Sequence, residues 1–218
     1  MSTNIHGAIS PRKAHLMLLA AAFFWGAGNV ANKTVLHHLD PYTTVALRCL
    51  LAAVVVAPFV WAERADAQPH KPWIGSAIGI ALIFAAALVF QQLAYQTTTV
   101  TNASFLVNTA TIVTPLVAWV ALGDKPGLRI LVAGVVTLAG AFLMSGMSLS
   151  SATINSGDGA CLIAALLFAL WMVALGHHAV THGRPFATSF VQFAVTALAM
   201  LPIIAVTQSP KLAAVNAA

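Results

Sequence analysis

Acidic residues are scarce in this 218-residue chain: there are five Asp and Glu, and charged residues of either sign make up only 7%. An ordinary soluble domain carries about a quarter. A globule in water needs a polar skin, so a chain that is 60% hydrophobic cannot conceal its apolar surface in that way. Lipid is the solvent that fits. Cysteine is nearly missing as well. Cys49 and Cys161 lie in apolar segments without paired spacing. That suggests neither a disulfide framework nor a zinc site, and both read as small buried hydrophobes. HExxH, GxSxG and phosphate-cradling glycine loops do not occur, so the sequence offers no catalytic residue, calls for no cofactor and argues against an enzyme. No basic stripe interleaved with aromatics exists either, which excludes nucleic acid as a partner. The net charge of +5 therefore reads as loop charge that sets membrane topology.

What is present is a series of long apolar runs. A hydrocarbon core of roughly 30 Å needs about 20 residues of helix. Runs of that length fall at about 14–36, 41–62, 73–95, 100–122, 128–147, 158–180 and 186–206. Turn chemistry separates them: Asp40-Pro41, Gln68-Pro69, Lys71-Pro72, Pro126-Gly127, Ser156-Gly157 and Gly183-Arg184-Pro185. All five acids are placed between runs. The expected fold class is all-α and polytopic, with seven transmembrane helices. The first run is too long for a secretory signal and reads as an uncleaved helix. With the N-terminus inside, cytoplasmic segments hold Arg12, Lys13, Arg64, Lys71, Lys125, Arg129 and Arg184, against Lys33, Arg48 and Lys211 on the other side. The bias predicts a multi-pass inner-membrane protein with a cytoplasmic N-terminus.

A shift of 144 residues lays Pro41 on Pro185 and Pro58 on Pro202 without a gap. It also matches Leu18 with Leu162, Phe24 with Phe168, His38 with His182 and Thr44 with Thr188. One repeat then holds five helices. Because five is odd, a second copy must cross the membrane in the opposite sense, as in the inverted repeats of many transporters. Residues 1–147 form the first five-helix repeat. Residues 158–218 form a partial second repeat of two helices, so the second inverted repeat is incomplete. The expectation is a truncated product; the alternative is a natural stub that borrows helices from a partner.

Two stretches carry a family resemblance. FFWGAGNVANKTVLHHLDPYTTVALRCLLAA and NASFLVNTATIVTPLVAWVALGDKPGLRILVAGVVTLAGAFLM resemble the drug/metabolite transporters of the EamA type. The likeness covers residues 14–146 well and 158–206 more faintly. It implies ten helices, both termini cytoplasmic, and a permease for small metabolites with its cavity between the repeats. Export is the expected direction, and amino acids or related organic solutes are candidate cargo. Asp124 stands where that family usually has Glu, and Gln192 occupies the repeat position of Arg48. The competing reading is a non-transporting membrane subunit or an inactive fragment. Expected partners are the small-molecule substrate, the lipid bilayer, and a homo-oligomeric copy or further C-terminal helices.

Several residues are candidates for the solute pathway. Arg48 lies seven residues past Pro41, roughly 10 Å along the helix at 1.5 Å per residue. Charge inside a span marks a pathway or a pair. With no acid expected in any span, its partner is a carbonyl, a lipid phosphate, a further helix or an anionic solute; the plainer alternative is snorkelling to the headgroups. Lys33, near the same face, snorkels or shares a basic vestibule with Arg48. Trp25, Asn29 and Asn32 fall on one face of the first helix. Gln91, Gln92, Tyr95 and Gln96 cluster at the end of the third. Ser104, Asn108, Thr111 and Pro115 make a polar stripe on the fourth, expected to face a cavity or the bundle interior while Val107, Val113 and Val117 face elsewhere. Gly75 and Gly79 form a GxxxG pair, read as a helix-contact device. His177, His178 and His182 invite a metal reading, but two imidazoles one turn apart are too few ligands, and a solvated interface is the expectation. No metal site is expected.

Overall fold

The computed structural model describes residues 10–36, 38–64, 72–145 and 156–216. Its described elements are all helical: α1 (Pro11–Val35), α2 (Pro41–Arg64), α3 (Ile74–Thr97), α4 (Val100–Asn108), α5 (Ala110–Leu122), α6 (Leu128–Ser145), α7 (Ser156–His182) and α8 (Pro185–Asn216). The all-α polytopic expectation holds. Six stretches among the described residues are long and apolar enough to cross a membrane, with α4 and α5 together forming one of them. The seventh run, α6, is shorter: its described apolar part is Leu128–Leu143.

Local chemistry sets the boundaries. Ser10 accepts a hydrogen bond from Lys13 N at the start of α1, with proline at the first helical position. Asp40 caps α2 by accepting from Tyr42 N at 3.1 Å and Thr43 N at 3.0 Å. The run 100–122, expected as one helix, breaks at Thr109. Thr109 N donates to Leu106 O and Ile112 N to Thr109 O, both tighter three-residue bonds, while the Thr109 hydroxyl donates to the same Leu106 carbonyl at 2.6 Å. Side-chain back-bonding of this kind bends helices, and Pro115 removes a donor nearly two turns further on. Gly123, at φ +78°, closes α5 in the left-handed conformation that glycine adopts without cost.

The chain divides into two units, residues 1–39 and 40–218. In the first, the span of α1 buries none of its apolar window, and Leu16, Phe23, Phe24 and Val30 are exposed. Asn32 is buried there, and Ala14 and Asn29 are half-buried.

In the second unit α2 packs on α8, α3 packs on both α7 and α8, α7 also packs on α4 and α5, and α6 lies against α4 and α5. The core runs from Val45, Ala46 and Cys49 through Phe84, Ala85 and Leu88 to Ala164, Phe168, Ala197 and Met200. Alanines let α3 and α7 approach closely, the usual device where lipid supplies no hydrophobic drive between helices. Aromatic rings fill the rest: Phe84 meets Trp171 at 5.0 Å and Phe193 at 6.1 Å between centroids. The GxxxG reading is corrected here. A Cβ at Gly75 or Gly79 would meet nothing among the described residues within 4 Å, so neither makes a close contact. A glycine that does is Gly134 on α6, where a Cβ would stand 2.8 Å from an Ile112 side-chain carbon.

Candidate functional site

Polar side chains collect inside the bundle where α3 ends. Gln91 and Tyr95, one turn apart, share a face of α3 and are 2% and 7% exposed. Gln92 is buried beside them. Arg48 of α2 is half-buried and lies within electrostatic reach of the Tyr95 hydroxyl, which Ser104 of α4 and Gln91 flank. Cys161 of α7 approaches from the opposite helix. One turn before it, Asp158 receives a hydrogen bond from the Thr98 hydroxyl at 2.9 Å.

Asp158 corrects the sequence reading. It was expected at the edge of the sixth run, outside any span, but α7 begins at Ser156, so the carboxylate sits in the first helical turn, 9% exposed. A carboxylate at a helix N-terminus is stabilised by the unsatisfied N–H groups there, which explains how an acid can be buried at this point.

Two atoms in this cluster lack what burial normally demands. Gln91 Oε1 and Tyr95 Oη are buried, and although Ser104 and Gln91 lie near the Tyr95 hydroxyl, neither atom makes a hydrogen bond of good geometry among the described residues. Leaving such a group dry and unpaired costs about 1–3 kcal/mol. An acceptor and a hydroxyl thus stand open beside a guanidinium, a set that can hold a solute bearing a negative group and a hydrogen-bond donor.

The remaining sequence candidates divide. Trp25 is exposed and Asn29 half-buried on α1, where Asn29 Oδ1 is a third buried atom without a partner among the described residues. The side chain of Lys33 lies outside the described residues. On the broken fourth span, Ser104 and Pro115 are half-buried, whereas Asn108 and Thr111 are exposed. Val107, expected on another surface, packs against the core. The kink at Thr109 is the physical reason that four positions in helical register do not share one environment.

At the other end of α3, a polar network went unseen in the sequence. His178, expected at a solvated interface, is 3% exposed. Its Nδ1 is hydrogen-bonded to Ser76 Oγ of α3 at 2.9 Å and its Nε2 to Thr188 Oγ1 of α8 at 3.0 Å. His182 stacks on its ring at 4.4 Å between centroids. No group of three metal-ligating side chains occurs among the described residues. Close by, the Glu63 carboxylate of α2 accepts from Phe186 N at 3.1 Å and Ala187 N at 2.7 Å, capping α8 from a different helix. The local signal was Arg184 itself: it occupies the place before proline where Asp40 caps α2, so α8 has no carboxylate of its own there.

A bundle of apolar helices with a buried polar cluster inside one end defines a polytopic membrane protein. The chain matches the EamA-like transporter family over residues 12–146, and it belongs to that family. It is 30% identical over 170 residues to one uncharacterized transporter of Archaeoglobus fulgidus, a match covering 74% of this chain and 56% of the relative. A second uncharacterized transporter of the same organism is 27% identical over 168 residues, covering 76% of this chain and 49% of the relative. The chain thus spans about half the length of these curated relatives. No solved structure matches.

Proposed function

We propose that this protein moves small organic solutes across the inner membrane as a secondary transporter, in the export direction and without enzyme chemistry, and that its N-terminus is cytoplasmic. The observation that carries the reading is the Arg48, Gln91, Tyr95 and Ser104 cluster, with a buried acceptor and a buried hydroxyl left open. Membrane-buried polar groups are costly and mark pathways. The solute is a metabolite with an anionic group that Arg48 reads; amino acids and related organic acids fit that chemistry. Residues 1–147 are taken as one repeat and 158–218 as the start of an inverted second. The 144-residue register pairs α1 with α7 and α2 with α8, and the α2–α8 contact maps onto itself under that exchange.

The same register supports a reading of the partners. α7 is covered by α3, α4 and α5, while its repeat mate α1 buries none of its apolar window. We infer that equivalent helices, from a longer polypeptide or a second copy, cover α1, and that Asn108 and Thr111 face the solute cavity. The other reading, a membrane subunit that does not transport, draws on that same uncovered helix. Flux in proteoliposomes separates the two. Accumulation of amino acids or organic anions above empty vesicles, saturable and lost in Arg48→Gln, supports transport. No flux from any of a broad solute panel, with the protein folded and inserted, sinks it.

A further inference from the structure

A cavity of about 390 Å³ lies between α2, α3 and α8, at the end of the bundle away from the Tyr95 cluster. Ala57 and Val60 of α2 face Phe190 and Val191 of α8 across it. Glu63, Trp73 and Arg184, at the ends of these helices, line it too and are taken as its mouth. The apolar wall begins about six residues before Glu63, a depth of roughly 9 Å at 1.5 Å per residue. The Arg184 guanidinium is half-buried and lies 5.4 Å over the centre of the Trp73 ring. It has no acceptor among the described residues, and none of its contacts is with a carboxylate. Glu63, the acid nearest to hand, spends both oxygens on the backbone amides of Phe186 and Ala187.

We propose that this cavity is a phospholipid site, with one acyl chain between α2 and α8 and the phosphate on Arg184. Four features converge. The walls are mostly apolar and belong to two helices long and apolar enough to cross a membrane, where hydrocarbon is the surrounding solvent. The mouth carries one guanidinium whose donors are free to bind a phosphate in a paired fashion, the geometry arginine favours. Trp73 and Trp61 stand at that level, as aromatic belts do at the headgroup boundary. The adjoining chain carries Arg64 and Lys71, and basic residues beside a span attract anionic headgroups. A lipid held there would bridge the same helices that Glu63 joins, and so would act on the α2–α8 contact from outside the solute pathway.

Native mass spectrometry of the full chain in a non-ionic detergent, titrated with phosphatidylglycerol, reads the site directly. One phospholipid is expected to bind ahead of the bulk. Arg184→Gln should weaken that first site at least about tenfold, which is about 1.4 kcal/mol. Ala57→Phe, which fills the chain slot, should remove it. Inorganic phosphate at matched concentration should not displace the lipid, and a monoacylglycerol with no phosphate should bind no better than the lipid does to Arg184→Gln. Unchanged first-site binding in Arg184→Gln overturns the proposal. So does displacement by inorganic phosphate, which would leave an anion site with no chain. If Ala57→Phe does not fold, the Arg184 and competitor arms still decide.

Discussion

The two ends of α3 bury polar groups on opposite terms. Near its start, Ser76, His178 and Thr188 satisfy one another: a neutral imidazole has one donor and one acceptor nitrogen, and each hydroxyl can serve either. Glu63 likewise uses both oxygens. Near its finish, Gln91 Oε1 and Tyr95 Oη are also buried, and neither makes a hydrogen bond of good geometry among the described residues. A closed network ties three helices together and leaves nothing for a ligand. An open one costs stability in the empty protein and recovers it when solute arrives. The satisfied end is a fastening; the unsatisfied end is where binding is expected.

Substitutions can break that contrast, and the largest effect is expected at Arg48. Arg48→Gln and Arg48→Lys should each lower flux at least about tenfold at normal membrane abundance, because lysine lacks the planar fork that pairs with a carboxylate. Full activity in the lysine variant would reduce Arg48 to an interfacial anchor. Gln is an apt control, since Gln192 stands at the repeat-equivalent position. There it accepts from the Trp171 ring N–H at 2.7 Å, a structural duty with no charge in it.

The next effect is on stability. His178→Leu should destabilise the protein by about 1–2 kcal/mol, since hydrogen bonds between membrane helices average about 0.6 kcal/mol and two hydroxyls lose their partner. Tyr95→Phe removes a hydroxyl that makes no hydrogen bond of good geometry among the described residues, so unfolding in mixed detergent micelles should show no loss and a slight gain. If Tyr95→Phe destabilises as much as His178→Leu, the two ends do not differ and the open groups are structural after all. In the transport assay the order should reverse. Tyr95→Phe should slow flux about threefold to tenfold, the size of one lost hydrogen bond of about 0.6–1.4 kcal/mol.

Much of the fold was legible because prolines and apolar runs act locally. Pro41 and Pro185 start α2 and α8 where the sequence puts them. The break at Thr109 was less legible, since it depends on a threonine choosing a carbonyl three residues back. Asp158 was misplaced by two residues of helix boundary, and that small shift turns a loop acid into a buried one. The histidine network could not be read at all. Ser76 and His178 are 102 residues apart, and only the α3–α7 packing brings them together. Sequence spacing finds residues that share a face; it does not say whether the opposite helix offers them a partner.

The smallest expected effect, at Asn108, tests the part of the site that chain packing leaves open. Asn108 is exposed while its neighbour Val107 packs inward. An amide facing hydrocarbon would have no partner for its donors or its carbonyl, a state membrane proteins avoid. An amide facing a water-filled cavity would have both at no cost. Asn108→Leu tells these apart because the signs differ. Against lipid, leucine is the better residue, so abundance and thermal stability should rise and flux should stay as it was. Against a cavity, stability should barely change and flux should fall about twofold to threefold, with Val107→Leu as the control for altered packing. Thr111→Val should follow the same direction, since Thr111 is also exposed just past the kink. Higher abundance with unchanged flux in Asn108→Leu would remove the fourth span's far half from the solute pathway and confine the site to Arg48, Gln91, Tyr95 and Ser104.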